Sequence, residues 1–254
     1  MAIAATILLF LASCTVKEDR SPCPCLLQLD VDGCRKFGET LGLRVWNISE
    51  LLSENIDIEK VTDFVERDIP KGDVVVGAFT GLSSSTLEGR SVVIPKGCQS
   101  DSLYAYREDL AAYDEYVRSK VVLHKQFATL HLFFKDESGL LSGELETELS
   151  SDTGGLSLED LSPIEGEFCI RPEIVEREAQ LRLPRQRNER LEMTLFIDGE
   201  TVESYDLGRM ISTTGYDWNE PDLKDIEMVI DLAEAVISLR ISGWDEGICY
   251  SFKI

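Results

Sequence analysis

Residues 191–207 read LEMTLFIDGETVESYDL, and the reading of this stretch decides the fold. Leu191, Met193, Leu195 and Ile197 fall on every second position, the period that puts one apolar row on one face of a β-strand. Asp198-Gly199 follows, a dipeptide suited to the positive φ angles of a tight hairpin turn, and Thr201 to Leu207 returns as the partner strand.

Working outward, the same alternation recurs. Ala128, Leu130, Leu132 and Phe134 share one face. So do Ile226, Met228, Ile230 and Leu232, which turn through Ala233-Glu234 and return as Ala235, Ile237, Leu239 and Ile241. Tyr250, Phe252 and Ile254 supply a last strand. Towards the N-terminus, Cys25, Leu27, Leu29 and Val31 face one way, Leu41, Leu43 and Val45 repeat the pattern, and 74–79 and 91–94 read as shorter apolar strands. Two short helices are expected: Ser49 to Asn55, with Ser49 as N-cap, and Arg107 to Val117, with Leu110, Tyr113 and Val117 on one side. Short strands at this spacing without repeated strand–helix alternation predict an all-β chain of antiparallel β-sandwiches, and the 254 residues hold two.

We place a division near Lys120, where a Tyr- and charge-rich segment gives way to a new run of strands. The expected units are a signal segment at 1–13, a tether at 14–22, an N-terminal sandwich at 23–120 and a C-terminal sandwich at 121–254. The first 120 residues carry 13 Lys and Arg against 19 Asp and Glu, and the remainder 12 against 28. A net charge of -22 argues against a phosphate-binding surface, so nucleic acid is not an expected partner.

Ala2 to Ala12 is an uncharged apolar run with the length of a secretory core and too short to span a bilayer. It ends in Leu11-Ala12-Ser13-Cys14, which looks like a bacterial lipobox, so Cys14 is the expected site of lipidation and of the mature N-terminus. Several acyl chains on one residue hold a protein stably at a membrane, where a single chain does so only marginally. Lys17-Glu18-Asp19 resembles the signal that sends lipoproteins of Bacteroides-like bacteria to the outer face of the outer membrane. The six other cysteines are an even number with fifteen possible pairings, and buried free thiols are the alternative for Cys98, Cys169 and Cys249.

No catalytic motif stands out. The chain has no G-x-S-x-G elbow, H-E-x-x-H pair or P-loop. His124 and His131 lie seven apart in what reads as one extended stretch, so they point to opposite faces and share no metal. We therefore expect no enzyme, no metal and no cofactor beyond the covalent lipid. Asp30-Val31-Asp32-Gly33 lacks the other ligands of a calcium loop and reads as a turn ending a strand. Arg182 to Arg190 reads as a solvated strand edge whose charges discourage wrong pairing. Tyr216 and Trp218 are either a sugar-stacking platform or an aromatic plug, and a platform requires both rings exposed and coplanar.

Five stretches together resemble the FimB-type fimbrial anchor subunits of Bacteroidota: the lipobox with 17–25 (KEDRSPCPC), LHKQFAT at 123–129, LPRQ at 183–186, YDLG at 205–208 and TGYDW at 214–218. Their order and spacing span nearly the whole mature chain. The resemblance implies two tandem transthyretin-like β-sandwiches in a lipoprotein on the surface of the outer membrane. It implies further that the protein anchors a type V fimbria and ends its elongation, with the stalk subunit (fimbrillin) as partner through strand exchange. Two rivals make distinct predictions. A surface glycan-binding lipoprotein would use Tyr216 and Trp218, and a secreted hydrolase would gather carboxylates in a cleft around His124 or His131.

Overall fold

The computed structural model describes residues 23–136, 143–234, 236–242 and 249–253. Helix makes up 6% of the described residues and strand 57%, so the core is built by sheets packing on sheets. One sheet orders β4 (Val65–Ile69), β1 (Cys25–Asp30) and β9 (Tyr116–Lys120). A second orders β10 (His124–Lys125), β8 (Tyr104–Ala112), β5 (Gly72–Thr80), β2 (Thr40–Trp46) and β3 (Glu50–Asp57). In the third, β14 (Glu178–Pro184), β11 (Phe127–Lys135), β17 (Ile226–Asp231), β18 (Val236–Ile241) and β19 (Tyr250–Lys253) follow one another. The fourth runs β16 (Glu200–Asp206), β15 (Glu192–Ile197), β12 (Leu145–Ser157), β7 (Ser91–Val93) and β6 (Thr86–Glu88), with β13 (Pro163–Ile170) also paired to β12.

The two halves repeat one topology. Order β4-β1-β9 in the first matches β14-β11-β17 in the second, and β8-β5-β2-β3 matches β16-β15-β12-β13. In each half the opening strand pairs antiparallel on one side and parallel on the other: β1 with β9, β11 with β17. These parallel pairs depart from the expected all-antiparallel pairing. A parallel neighbour needs a long crossover, which the five strands between β1 and β9 in the repeated order supply.

Each half closes on its own core. Leu27 and Leu29 from β1 meet Leu41, Leu43 and Val45 from β2 and Val76 from β5, all fully buried. In the second half Leu130, Leu132, Met193, Met228 and Leu239 play the same part. Each such side chain contributes about 1.5–3 kcal/mol relative to exposure. A third cluster joins the halves: Leu156 and Leu158 from the far end of the β12–β13 hairpin, with Val92 of β7, pack on Phe79 and Ala105 of the second sheet. Polar bonds fasten the contact. Arg107 Nε donates to Glu159 O at 2.8 Å, Arg90 pairs with Glu159 at 2.5 Å, and the Arg90 guanidinium lies 5.4 Å over the Trp46 ring.

Strands also cross between the halves. β7 pairs with β12 through Val93↔Gly155 and Val92↔Leu156, while β10 pairs with β8 through His124↔Ala105. The elements on either side of Lys120 are thus interleaved in space. Trp46 can lie flat under Arg90 only because Gly77 has no side chain; a Cβ there would sit 2.8 Å from the ring. Gly77→Val is expected to lower stability by about 1–3 kcal/mol in urea unfolding, as overpacking does, and an unchanged midpoint would remove this account of the junction.

Both expected helices are strands. Residues 49–55 fall largely in β3, whose whole length pairs with β2, and the Asn47 side chain takes the Ser49 amide at 3.0 Å to form the hairpin turn. The capping side chain is therefore Asn47, not Ser49, and it closes a turn, not a helix. Residues 107–117 split between β8 and β9, with Arg107 opposite Gly77 and Leu110 opposite Val74. Long-range pairing overrides the local helical pattern in both cases. Among the described residues one α-helix, α1 (Leu207–Thr213), follows β16, its first turn capped by the Asp206 side chain on the Arg209 amide at 3.0 Å. Ala235 and Ile254, expected in strands, lie outside the described residues.

Candidate functional site

Three of the stretches that carry the sequence resemblance, 123–129, 183–186 and 214–218, meet where the two halves join. The chain leaves β9 at Lys120, forms β10, and enters β11 at Phe127, so 124–126 lies at the junction. There the Asp222 carboxylate accepts the Lys125 amide at 2.7 Å and contacts His124 Nδ1 at 2.9 Å. Asp225 accepts Lys125 Nζ at 2.5 Å and the Thr129 amide at 2.7 Å. Partial burial pushes both carboxyls up, but hydrogen bonds outweigh it, led by His124 for Asp222 and by Lys125 for Asp225. Each pKa therefore lies below the ordinary carboxylate value.

Arg185 lies beside these carboxylates, 6% exposed. Its guanidinium donates to Gln126 Oε1 at 2.9 and 3.2 Å, to Glu220 O at 3.0 Å and to Trp218 O. A rigid five-donor fork suits a cluster of acceptors held at fixed angles. Burial draws its pKa down from the usual value, and Tyr216, Asp217 and Asp222 pull the other way. The expectation that 182–190 is a solvated strand edge is corrected here. Arg182 Nε donates to Ser100 O at 2.8 Å and Arg185 is a buried crosslink; only the more exposed Arg187 and Arg190 face carboxylates near the surface.

A second knot lies nearby. Asp101 is 1% exposed and accepts the backbone amides of Ser83, Ser84 and Ser85 at 3.0, 3.0 and 2.8 Å, with the Ser83 and Ser84 hydroxyls at 2.5 and 2.8 Å. It ties the 81–85 loop, which precedes β6, to the strand entering β8. Asp101 and Arg185 both line a small void between the halves, together with Gln126, Leu103 and Leu156. Sequence reading missed Asp101 and took Arg185 for part of a solvated edge.

Tyr216 and Trp218 do not make a platform. Tyr216 is 8% exposed and donates its hydroxyl to Lys224 O at 2.8 Å, and Trp218 is half-buried against the same core. Their rings meet at 4.7 Å with a 60° interplanar angle, the edge-on geometry of a packed pair. They form the aromatic plug. His124 faces a single carboxylate, Asp222, while His131 borders a surface hollow of about 380 Å³ with Glu173, Glu176 and Glu178 and no hydroxyl or thiol in its lining. Among the described residues no group of three or more His, Cys, Asp or Glu is placed to hold a metal ion. Asp30 Oδ1 accepts the Asp32 amide at 3.1 Å, the turn that ends β1. The six described cysteines are free thiols, of which Cys25 and Cys34 are buried. Cys14, Lys17, Glu18 and Asp19 lie outside the described residues.

The junction is therefore a structural joint, and surfaces for a partner must be sought at sheet edges. Among the described residues, the eight-residue β3 and the seven-residue β14 and β16 each end a sheet. Edges of this length present unpaired N–H and C=O groups to an added strand, except that on β14 the Arg182 amide bonds Gln99 Oε1 and the Arg182 carbonyl accepts the Ser100 amide. No described helix is long and apolar enough to cross a membrane.

Joint and edges define an all-β chain of two interlocked, topologically repeated sandwiches. That fold is shared with the fimbrial anchor protein Mfa2 from Porphyromonas gingivalis, at TM-score 0.62 and 11% identity over 87% of this chain and 98% of that one. A candidate adhesin from Bacteroides ovatus aligns at TM-score 0.63 and 13% identity over 93% and 97%, and one from Bacteroides thetaiotaomicron at 0.61 and 15% over 92% and 99%. At these identities the likeness is one of fold. No protein-family model matches the chain, and no curated protein matches its sequence.

Proposed function

We propose that this protein is a lipid-anchored subunit on the cell surface that fixes a fimbria to the outer membrane and ends its elongation. The observation that carries the reading is a fold shared over 98% of the length of the fimbrial anchor protein Mfa2, in a chain whose residues 11–14 resemble a lipobox. The partner is a fimbrial stalk subunit, fimbrillin, which contributes or receives an extended segment at an open sheet edge. Main-chain hydrogen bonds give such a contact its strength, and alternate side chains give it register. Lipid on Cys14 holds the other end, with Lys17, Glu18 and Asp19 directing it to the outer face. The buried Tyr216 and the edge-on Trp218 do not support the glycan-binding alternative.

The test is a pull-down of the intact protein from its own cells, with mass spectrometry of what co-purifies and electron microscopy of a deletion strain. Co-purified fimbrillin with long or shed fimbriae is the expected result; normal fimbriae and no fimbrial partner would overturn the proposal. Cys14→Ala is expected to release the protein from membranes. Lys17→Ala with Glu18→Ala is expected to leave it lipidated but protected from protease on intact cells, and unchanged accessibility would remove the export role of these residues.

A further inference from the structure

The N-terminal sandwich has two unlike ends. One gathers the start of β1, the β2–β3 turn, the β4–β5 turn and the β8–β9 turn, as the registers Cys25↔Ile69, Leu26↔Tyr116, Gly72↔Ala112 and Trp46↔Val75 require. The other carries β10 and, through it, the second half. Three large side chains from two of these turns are exposed at the first end: Ile48 (102%) from β2–β3, and Tyr113 (58%) and Tyr116 (58%) from β8–β9. Ile48 overhangs a groove of about 560 Å³ floored by Val75 and Leu110.

The chain enters at this same end. Cys23 is described, exposed, and lies nine residues after Cys14 in the sequence. Nine residues reach at most about 30 Å when fully extended, so lipid on Cys14 keeps this end beside the bilayer. We infer that the rim formed by Ile48, Tyr113 and Tyr116 seats on the lipid surface and fixes the orientation of the anchored protein. The inference rests on the lipid-anchor reading above.

The chemistry suits a shallow contact. Tyrosines carry an apolar ring and a polar tip, the combination that settles at a headgroup boundary, and a lone isoleucine at a hairpin tip can enter the acyl edge. The Arg118 guanidinium lies 5.4 Å from the Tyr116 ring. Glu50, Asp114 and Glu115 share this end, and the Tyr113 hydroxyl bonds Asp73, so carboxylates keep the contact at the headgroup level.

The experiment uses the lipidated full-length protein reconstituted in phosphatidylcholine vesicles whose acyl chains are brominated. Ile48→Trp adds a fluorophore at the rim, and Val202→Trp adds one on β16 of the second half, where Val202 is exposed. Emission added at position 48 is expected to lose about half its intensity, as for a group about 5–10 Å into the headgroup–acyl boundary, and emission added at position 202 to lose none. Equal behaviour of the two sites in vesicles that float with bound protein overturns the docking alone. Shielding of position 48 from aqueous iodide without quenching by lipid also overturns it, and assigns the rim to a protein neighbour. A protein that fails to float overturns the lipid-anchor reading and the docking with it.

Discussion

Replacing Arg185 by alanine is expected to cost about 3–5 kcal/mol, because one buried guanidinium serves several neutral acceptors and each hydrogen bond to a charged group contributes about 1.5–3 kcal/mol. The loss should appear as a large drop in the urea midpoint. The guanidinium satisfies Gln126 Oε1 and the carbonyls of Trp218 and Glu220 at once. Its removal leaves those acceptors facing a small void, and each unsatisfied buried group costs about 1–3 kcal/mol. Arg185→Lys keeps the charge but not the fork, and is expected to recover less than half of the loss. A cost below about 1 kcal/mol for alanine would show that water replaces the guanidinium freely and that the joint is held by apolar packing alone.

Asp101→Ala is the second large effect, about 3 kcal/mol, because three backbone amides and two hydroxyls lose their common acceptor. The site also predicts a pH dependence. Burial pushes the Asp101 carboxyl up, but the Ser83 hydroxyl and the amides of Ser83 to Ser85 more than reverse this and hold the pKa far below the ordinary value. A depressed folded pKa means the stabilisation is complete above the unfolded value near 4 and is lost as pH falls through the folded one. Wild-type stability should therefore fall steeply below about pH 4, with Asp222 and Asp225 adding in the same direction. Asp101→Asn should flatten that slope in unfolding measured between about pH 2 and 6; an unaltered slope would remove Asp101 from the acid response.

Much of the fold is legible from period-two alternation. The rows 128–134 and 226–230 each became a strand with its apolar row buried, and 191–197 leads into one whose row is buried except for the half-buried Ile197. What fails to show is whatever depends on a distant neighbour. Nothing local distinguishes the Ser49–Asn55 stretch from a capped turn of helix until β2 is placed beside it. A usable signal did exist in 104–112, where Arg107 pairs with Asp109 and Tyr106 with Glu108, a spacing of two that belongs to strands. Arg185 was illegible for a deeper reason. Its partners include backbone carbonyls some 35 residues away, and a carbonyl leaves no mark in a sequence. The aromatic pair at 216 and 218 read equally well as platform or plug, because ring type fixes neither exposure nor interplanar angle.

The parallel pairing of β1 with β9 has a mechanical meaning. In an anchored protein, pull enters the first sandwich at the start of β1 and leaves it at the end of β9, because the tether joins one and the second half follows the other. These strands lie side by side in five consecutive registers, from Leu26↔Tyr116 to Asp30↔Lys120. Tension along the molecule therefore slides one strand past the other and loads the hydrogen bonds between them together, where an antiparallel hairpin pulled at its open end would unzip one bond at a time. A tug on the far end meets its resistance in the arrangement of the strands as well as in the depth of the core.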